Sequence, residues 1–193
     1  ALTRFRRPTP LGTIDVLLEY AERRGRVADL DLALIARNFE EGAVFARRLP
    51  LFVNVHPATL GEPNRLIPNI LLRAERAGVP LDSLVIEITE HAALPRNGRA
   101  TECLEALRSA GVRFALDDVG SAYSHLTLID AIQPSFLKIS QEFGTGFELD
   151  PARRRIVRSI SQLGEDFGID VILEGVESAE TAVAATALGI DFA

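Results

Sequence analysis

Five short apolar segments of the chain each carry, at or next to their last residue, one polar side chain that could bind a cation or handle a proton. Asn54 lies in Leu51-Phe52-Val53-Asn54-Val55, Glu87 in Leu84-Val85-Ile86-Glu87-Ile88, and Asp117 ends Phe114-Ala115-Leu116-Asp117. Lys138 ends Phe136-Leu137-Lys138, and Glu174 ends Val171-Ile172-Leu173-Glu174. Side chains alternate along a strand, so each polar residue shares a face with the apolar residue two positions before it. In a closed barrel that alternation would turn all five toward one mouth, the end at which barrel enzymes build their active sites. A single such residue is more simply a capping or loop-facing group, and it is the recurrence on five segments that points to chemistry.

Carboxylates from Glu87, Asp117 and Glu174, with the adjacent Asp118, would repel one another and be driven toward protonation unless a cation joined them. Hard oxygen donors and an amide carbonyl, with neither cysteine nor clustered histidine, suit Mg²⁺ or Mn²⁺ better than zinc. Lys138 is the only lysine beside 20 arginines. An ammonium kept in so arginine-biased a chain suggests a place that a guanidinium fork would not serve, such as one holding a phosphate oxygen or a water nucleophile.

The elements that must position these groups follow from periodicity. Apolar runs rich in β-branched and aromatic residues predict strands at residues 51–55, 84–89, 112–117, 136–139 and 170–174, with further strands at 1–5 and 189–193. Helical spacing predicts helices over 13–24, 27–41, 99–110 and 150–167. The last has Asp150 as a cap, Pro151 in its first turn, Gly168 at its stop, and a buried stripe of Ile156, Val157, Ile160, Leu163 and Phe167. This alternation predicts an α/β fold, a (β/α) barrel lacking its last unit, although an open doubly wound sheet has the same periodicity. Gly144-Thr145-Gly146 lacks a third glycine and does not directly follow a strand, so it is a poor dinucleotide loop.

Composition excludes several classes. One domain over residues 1–193 is expected, and both ends read as cut from a longer polypeptide. The single cysteine, Cys103, rules out a disulfide framework and fits a reducing, cytoplasmic setting, and it reads as a small core residue. No apolar run reaches the roughly 18 residues of a membrane span, so no membrane contact by this domain is expected, though a full-length protein could be tethered. A net charge of −6 offers no positive field for a long nucleic acid, whereas a small anion could be held through a metal. His56, His91 and His125 match no zinc spacing, and Arg153-Arg154-Arg155 reads as a solvated helix face.

In order along the chain, these segments resemble the EAL domain family, whose members are metal-dependent phosphodiesterases for cyclic di-GMP or receptors derived from them. Ala1-Leu2-Thr3-Arg4-Phe5 looks like the family's opening segment just after its signature glutamate. Phe52-Val53-Asn54-Val55, Ile86-Glu87-Ile88-Thr89-Glu90, Leu116-Asp117-Asp118-Val119-Gly120, Leu137-Lys138-Ile139 and Leu173-Glu174-Gly175-Val176-Glu177 follow. The resemblance implies a TIM-like (β/α)8 barrel of EAL type, truncated here before the signature glutamate and before the last strand-helix unit.

It also implies two divalent ions. Asn54, Glu87 and Asp117 would bind the first, Asp117 and Asp118 would bridge toward the second, and Glu174 would sit near that second ion as general base. Lys138 would position water or phosphate, Leu2 and Arg4 would contact the ligand, and Glu90 would steady the loop 119–126. The implied activity is hydrolysis of cyclic di-GMP to linear pGpG, with other signalling domains attached and homodimer formation left open.

Two departures favour the alternative of a receptor with little turnover. Ser140 stands where active members carry aspartate, which removes an acidic group. The loop after the paired aspartates reads Asp118-Val119-Gly120-Ser121-Ala122-Tyr123-Ser124-His125, with Ala122 in place of a glycine.

Overall fold

The computed structural model describes residues 14–46, 48–89, 94–95, 98–120 and 125–192. Contacts divide the chain into two compact units, Ala1–Ile88 with Ala92–Arg113, and Thr89–His91 with Phe114–Ala193.

The first unit contains α1 (Ile14–Arg23), α2 (Val27–Gly42), β1 (Leu51–Asn54), α3 (Pro57–Leu60), α4 (Pro63–Ala77), β2 (Leu84–Thr89, through Ile88) and α5 (Arg99–Ser109). Strands β1 and β2 pair in parallel, with Leu51 opposite Leu84 and Asn54 opposite Glu87. The connection between them is α3 and α4, as parallel pairing requires a crossover. Its longer helix was not singled out from the sequence, although Pro63 suits its first turn and its apolar residues Leu66, Ile70 and Ala74 form a buried line. The core gathers Ile35, Leu60, Leu66, Ile70, Leu84, Ile86, Leu104 and Leu107, each almost wholly removed from water and contributing about 1.5–3 kcal/mol.

The second unit takes most of β3 (Arg113–Val119), then α6 (His125–Ile132), β4 (Phe136–Ile139), α7 (Gln141–Gly144), α8 (Pro151–Phe167), β5 (Asp170–Leu173) and α9 (Ala179–Thr186). Strand β4 pairs in parallel with both β3 and β5, and Phe114, Leu116 and Phe147 anchor the core. Asp150 caps α8 as expected, its Oδ1 accepting the backbone N–H groups of Ala152 (2.8 Å) and Arg153 (3.3 Å).

Two expectations need correction. The buried line of α8 is Val157, Ile160 and Gly164, while Phe167 is 55% exposed. The chain turns back beneath Gly164, where Ile169 donates its N–H to the Gly164 carbonyl oxygen (2.8 Å), so core contact ends one turn before Phe167. The segment predicted as a strand at 189–193 forms only an isolated parallel bridge, Ile172 with Phe192, among the described residues. The one predicted at 1–5 lies outside them. No helix among the described residues is long and apolar enough to cross a membrane.

Candidate functional site

In the first unit, parallel register brings the two polar strand-end residues side by side. Asn54 Nδ2 donates to Glu87 Oε2 at 2.9 Å. Glu87 is buried (4% exposed) between Ile86 and Ile88 of its strand, whereas Asn54 is exposed. The backbone continues the same contact, because the Val55 N–H donates to the Glu87 carbonyl oxygen at 3.0 Å. With its NH₂ group turned to Glu87, the Asn54 carboxamide has its carbonyl oxygen as the atom that could meet a cation.

In the second unit, Lys138 stands between two carboxylates. Its ammonium lies 2.8 Å from Asp117 Oδ1 and 2.7 Å from Glu174 Oε1. Lys138 and Asp117 are largely buried, and Glu174 is half-exposed. One oxygen of each carboxylate meets the lysine, so opposite charge relieves a repulsion that low dielectric would otherwise magnify.

Local backbone explains how these groups reach their places. The β3–β4 register shifts between Leu116 and Val119, and Asp118 has φ 59°, in the left-handed region that non-glycine residues rarely occupy. Regular alternation would send Asp117 and Asp118 to opposite faces, and this irregularity breaks it. Glu174 is held from behind, its N–H donating to the Ile139 carbonyl oxygen at 3.0 Å. The last residue of α7 is packed so tightly there that a Cβ on Gly144 would overlap the Glu174 carbonyl oxygen.

Ser140 is buried, and its Oγ makes no hydrogen bond among the described residues. Leu2, Arg4, Glu90, His91 and residues 121–124 lie outside the described residues, as does the His125 side chain.

The donors present are hard oxygens, a set whose type fits Mg²⁺ or Mn²⁺. Among the described residues, no three His, Cys, Asp or Glu side chains form a group that could hold an ion by themselves. In the second unit the partner between Asp117 and Glu174 is a lysine.

Sequence reasoning missed a further carboxylate. Asp31 of α2 is buried, and its Oδ2 accepts the His56 N–H (2.8 Å) and the Thr59 hydroxyl (2.6 Å) just beyond β1. Burial pushes this carboxyl above its ordinary value, against the lowering effect of those two hydrogen bonds. The signal was present in the spacing, since Asp31 falls midway between the buried Val27 and Ile35 on one helical face. His56 is engaged at both ring nitrogens. Nδ1 accepts the Ala58 N–H at 3.1 Å, and Nε2 lies 2.9 Å from Glu22 Oε1, which makes it a structural residue of the turn.

The family model for the EAL domain matches residues 1–193. The chain belongs to the EAL domain family. RocR, a cyclic di-GMP phosphodiesterase of Pseudomonas aeruginosa, is 31% identical over 162 residues, covering 80% of this chain and 41% of RocR. BlrP1 of Klebsiella pneumoniae, solved as a manganese and cyclic di-GMP complex, superposes with a TM-score of 0.77 at 29% identity, over 90% of this chain and 45% of that one. The EAL enzyme Bd1971, bound to cAMP and cyclic di-GMP, gives a TM-score of 0.83 at 22% identity, over 97% of this chain and 53% of its own, a likeness of fold. The chain spans less than half the length of the curated relatives it matches. This EAL domain has the α/β architecture expected from its alternating strands and helices.

Proposed function

We propose that this EAL domain is a divalent-metal-dependent phosphodiesterase that opens one phosphodiester bond of cyclic di-GMP to give linear pGpG. The observation that carries the reading is the Lys138 ammonium bracketed by Asp117 and Glu174, in a chain that matches the EAL family along its whole length. Relatives named as cyclic di-GMP phosphodiesterases support the substrate.

In this reading Asn54, Glu87, Asp117 and Asp118 would supply oxygen ligands to the ions, with Glu174 as the general base. Mg²⁺ or Mn²⁺, when bound, supplies an acidified water and positive charge against the phosphoryl oxygens. Glu174 takes the proton of the attacking water. Lys138 holds Glu174 in place and offers its ammonium to charge that builds on phosphate oxygen as the bond to the leaving ribose oxygen breaks. Leu2 and Arg4 contact the ligand, with Arg4 on a phosphate, and Glu90 steadies the loop 119–126. The domain works in the cytoplasm, attached to other signalling domains.

The test is chromatographic detection of pGpG from cyclic di-GMP with the full-length protein in Mg²⁺ or Mn²⁺. Turnover that falls by about 10²-fold or more in Glu174→Ala supports the reading. No product from the wild type with either metal removes it.

The buried, uncharged Ser140 favours a second reading, a cyclic di-GMP receptor with little turnover. Calorimetry that finds tight, metal-independent binding without product selects it.

A further inference from the structure

A carboxylate on the buried face of a helix is costly unless its hydrogen bonds justify it. Asp31 is 4% exposed, and its Oδ2 accepts from both the His56 N–H and the Thr59 hydroxyl. Both donors belong to the turn that leaves β1. His56 is the N-cap residue of α3, and Thr59, inside α3, is wholly buried. Asn54 lies just upstream, facing Glu87 across the strand pair. The end of β1 is therefore pinned on two sides, by Glu87 through the Val55 N–H and by α2 through Asp31.

We propose that Asp31 is a positioning residue that fixes the turn after β1 and so keeps the Asn54 carboxamide in hydrogen-bonding register with Glu87. Its consequence for metal binding rests on the reading of Asn54 and Glu87 as metal ligands given above. Both hydrogen bonds end on the same oxygen, which makes the role separable from mere packing. Asp31→Asn can place its carbonyl oxygen there and keep both bonds. Asp31→Leu, of similar bulk, keeps neither and leaves the His56 N–H and the Thr59 hydroxyl without this acceptor.

The direct readout is the Asn54 side-chain amide resonance pair in ¹⁵N-labelled, metal-free full-length protein. It is expected to move to the position of a free amide in Asp31→Leu and to stay in place in Asp31→Asn. Thr59→Val, which removes one bond and keeps the shape, is expected to give a partial shift, and it carries the test if Asp31→Leu does not fold. Ile35→Val on the same helix controls for general loosening and is expected to leave the resonance unmoved. An unchanged Asn54 amide in Asp31→Leu, or in Thr59→Val where only that variant folds, overturns the proposal, as does an equal shift in Ile35→Val.

Mn²⁺ calorimetry without nucleotide is a separate arm. Affinity is expected to drop about 10-fold in Asp31→Leu and to recover in Asp31→Asn. Should Glu87→Gln bind Mn²⁺ as the wild type does, the metal reading fails, while the amide resonance still decides the role of Asp31.

Discussion

Lys138 and Glu174 meet at 2.7 Å, and the same ammonium reaches Asp117 at 2.8 Å. One cation thus serves carboxylates from two different segments, a compact arrangement that depends on the small, tetrahedral ammonium. The planar guanidinium of arginine is wider and prefers two parallel bonds to one partner. Lys138→Arg is therefore expected to lose about 10-fold or more of pGpG formation despite conserving charge, and Lys138→Met about 10²-fold. Full activity in the arginine variant would show that charge alone suffices.

Asp118 sits at φ 59° where the β3 register shifts. Asparagine tolerates this backbone, whereas a β-branched residue does not. Asp118→Val is expected to destabilise the fold by about 1–2 kcal/mol. Asp118→Asn should unfold within about 0.5 kcal/mol of the wild type while turnover falls, because the amide lacks the carboxylate charge. Denaturant titration and product assay together separate the two effects.

Gln133 follows α6 with φ 47°, and its N–H donates to the Ile129 carbonyl oxygen at 2.8 Å. This is the helix-ending position at which glycine carries no side-chain penalty. Gln133→Gly is expected to add about 0.5–1 kcal/mol of stability, raising the melting temperature by roughly 1–4 °C. A lower melting temperature would mean that the glutamine side chain contributes more than its backbone costs.

Cys103 is wholly buried in α5, and burial pushes its thiol up from 9.0 to about 11. At pH 8 the Cys103 thiol of the native domain is expected to resist a reagent such as DTNB and to react on denaturation. Because the folded value lies above the unfolded one, this group's contribution to stability is full below about pH 9 and is lost as pH rises toward about 11. Cys103→Ala should flatten that alkaline decline in a melting-temperature profile.

Much of this domain was legible in the residues alone. The Asp150, Pro151 and Gly168 signals marked α8, because caps and stops are local properties of a few adjacent residues. The polar strand ends at Asn54, Glu87, Asp117, Lys138 and Glu174 were legible because alternation and apolar runs are also local. Tertiary structure decided what local rules cannot reach. Parallel register set Asn54 opposite Glu87, and long-range packing made a lysine the partner of two carboxylates. The break in β3 at Asp118 overrode simple alternation, and the return of the chain beneath Gly164 left Phe167 in water. Asp31 shows the division most plainly. Its place on the buried face of α2 follows from helical spacing, but the donors that make a carboxylate tolerable there come from residues 25 and 28 positions farther along, which only the folded chain brings to it.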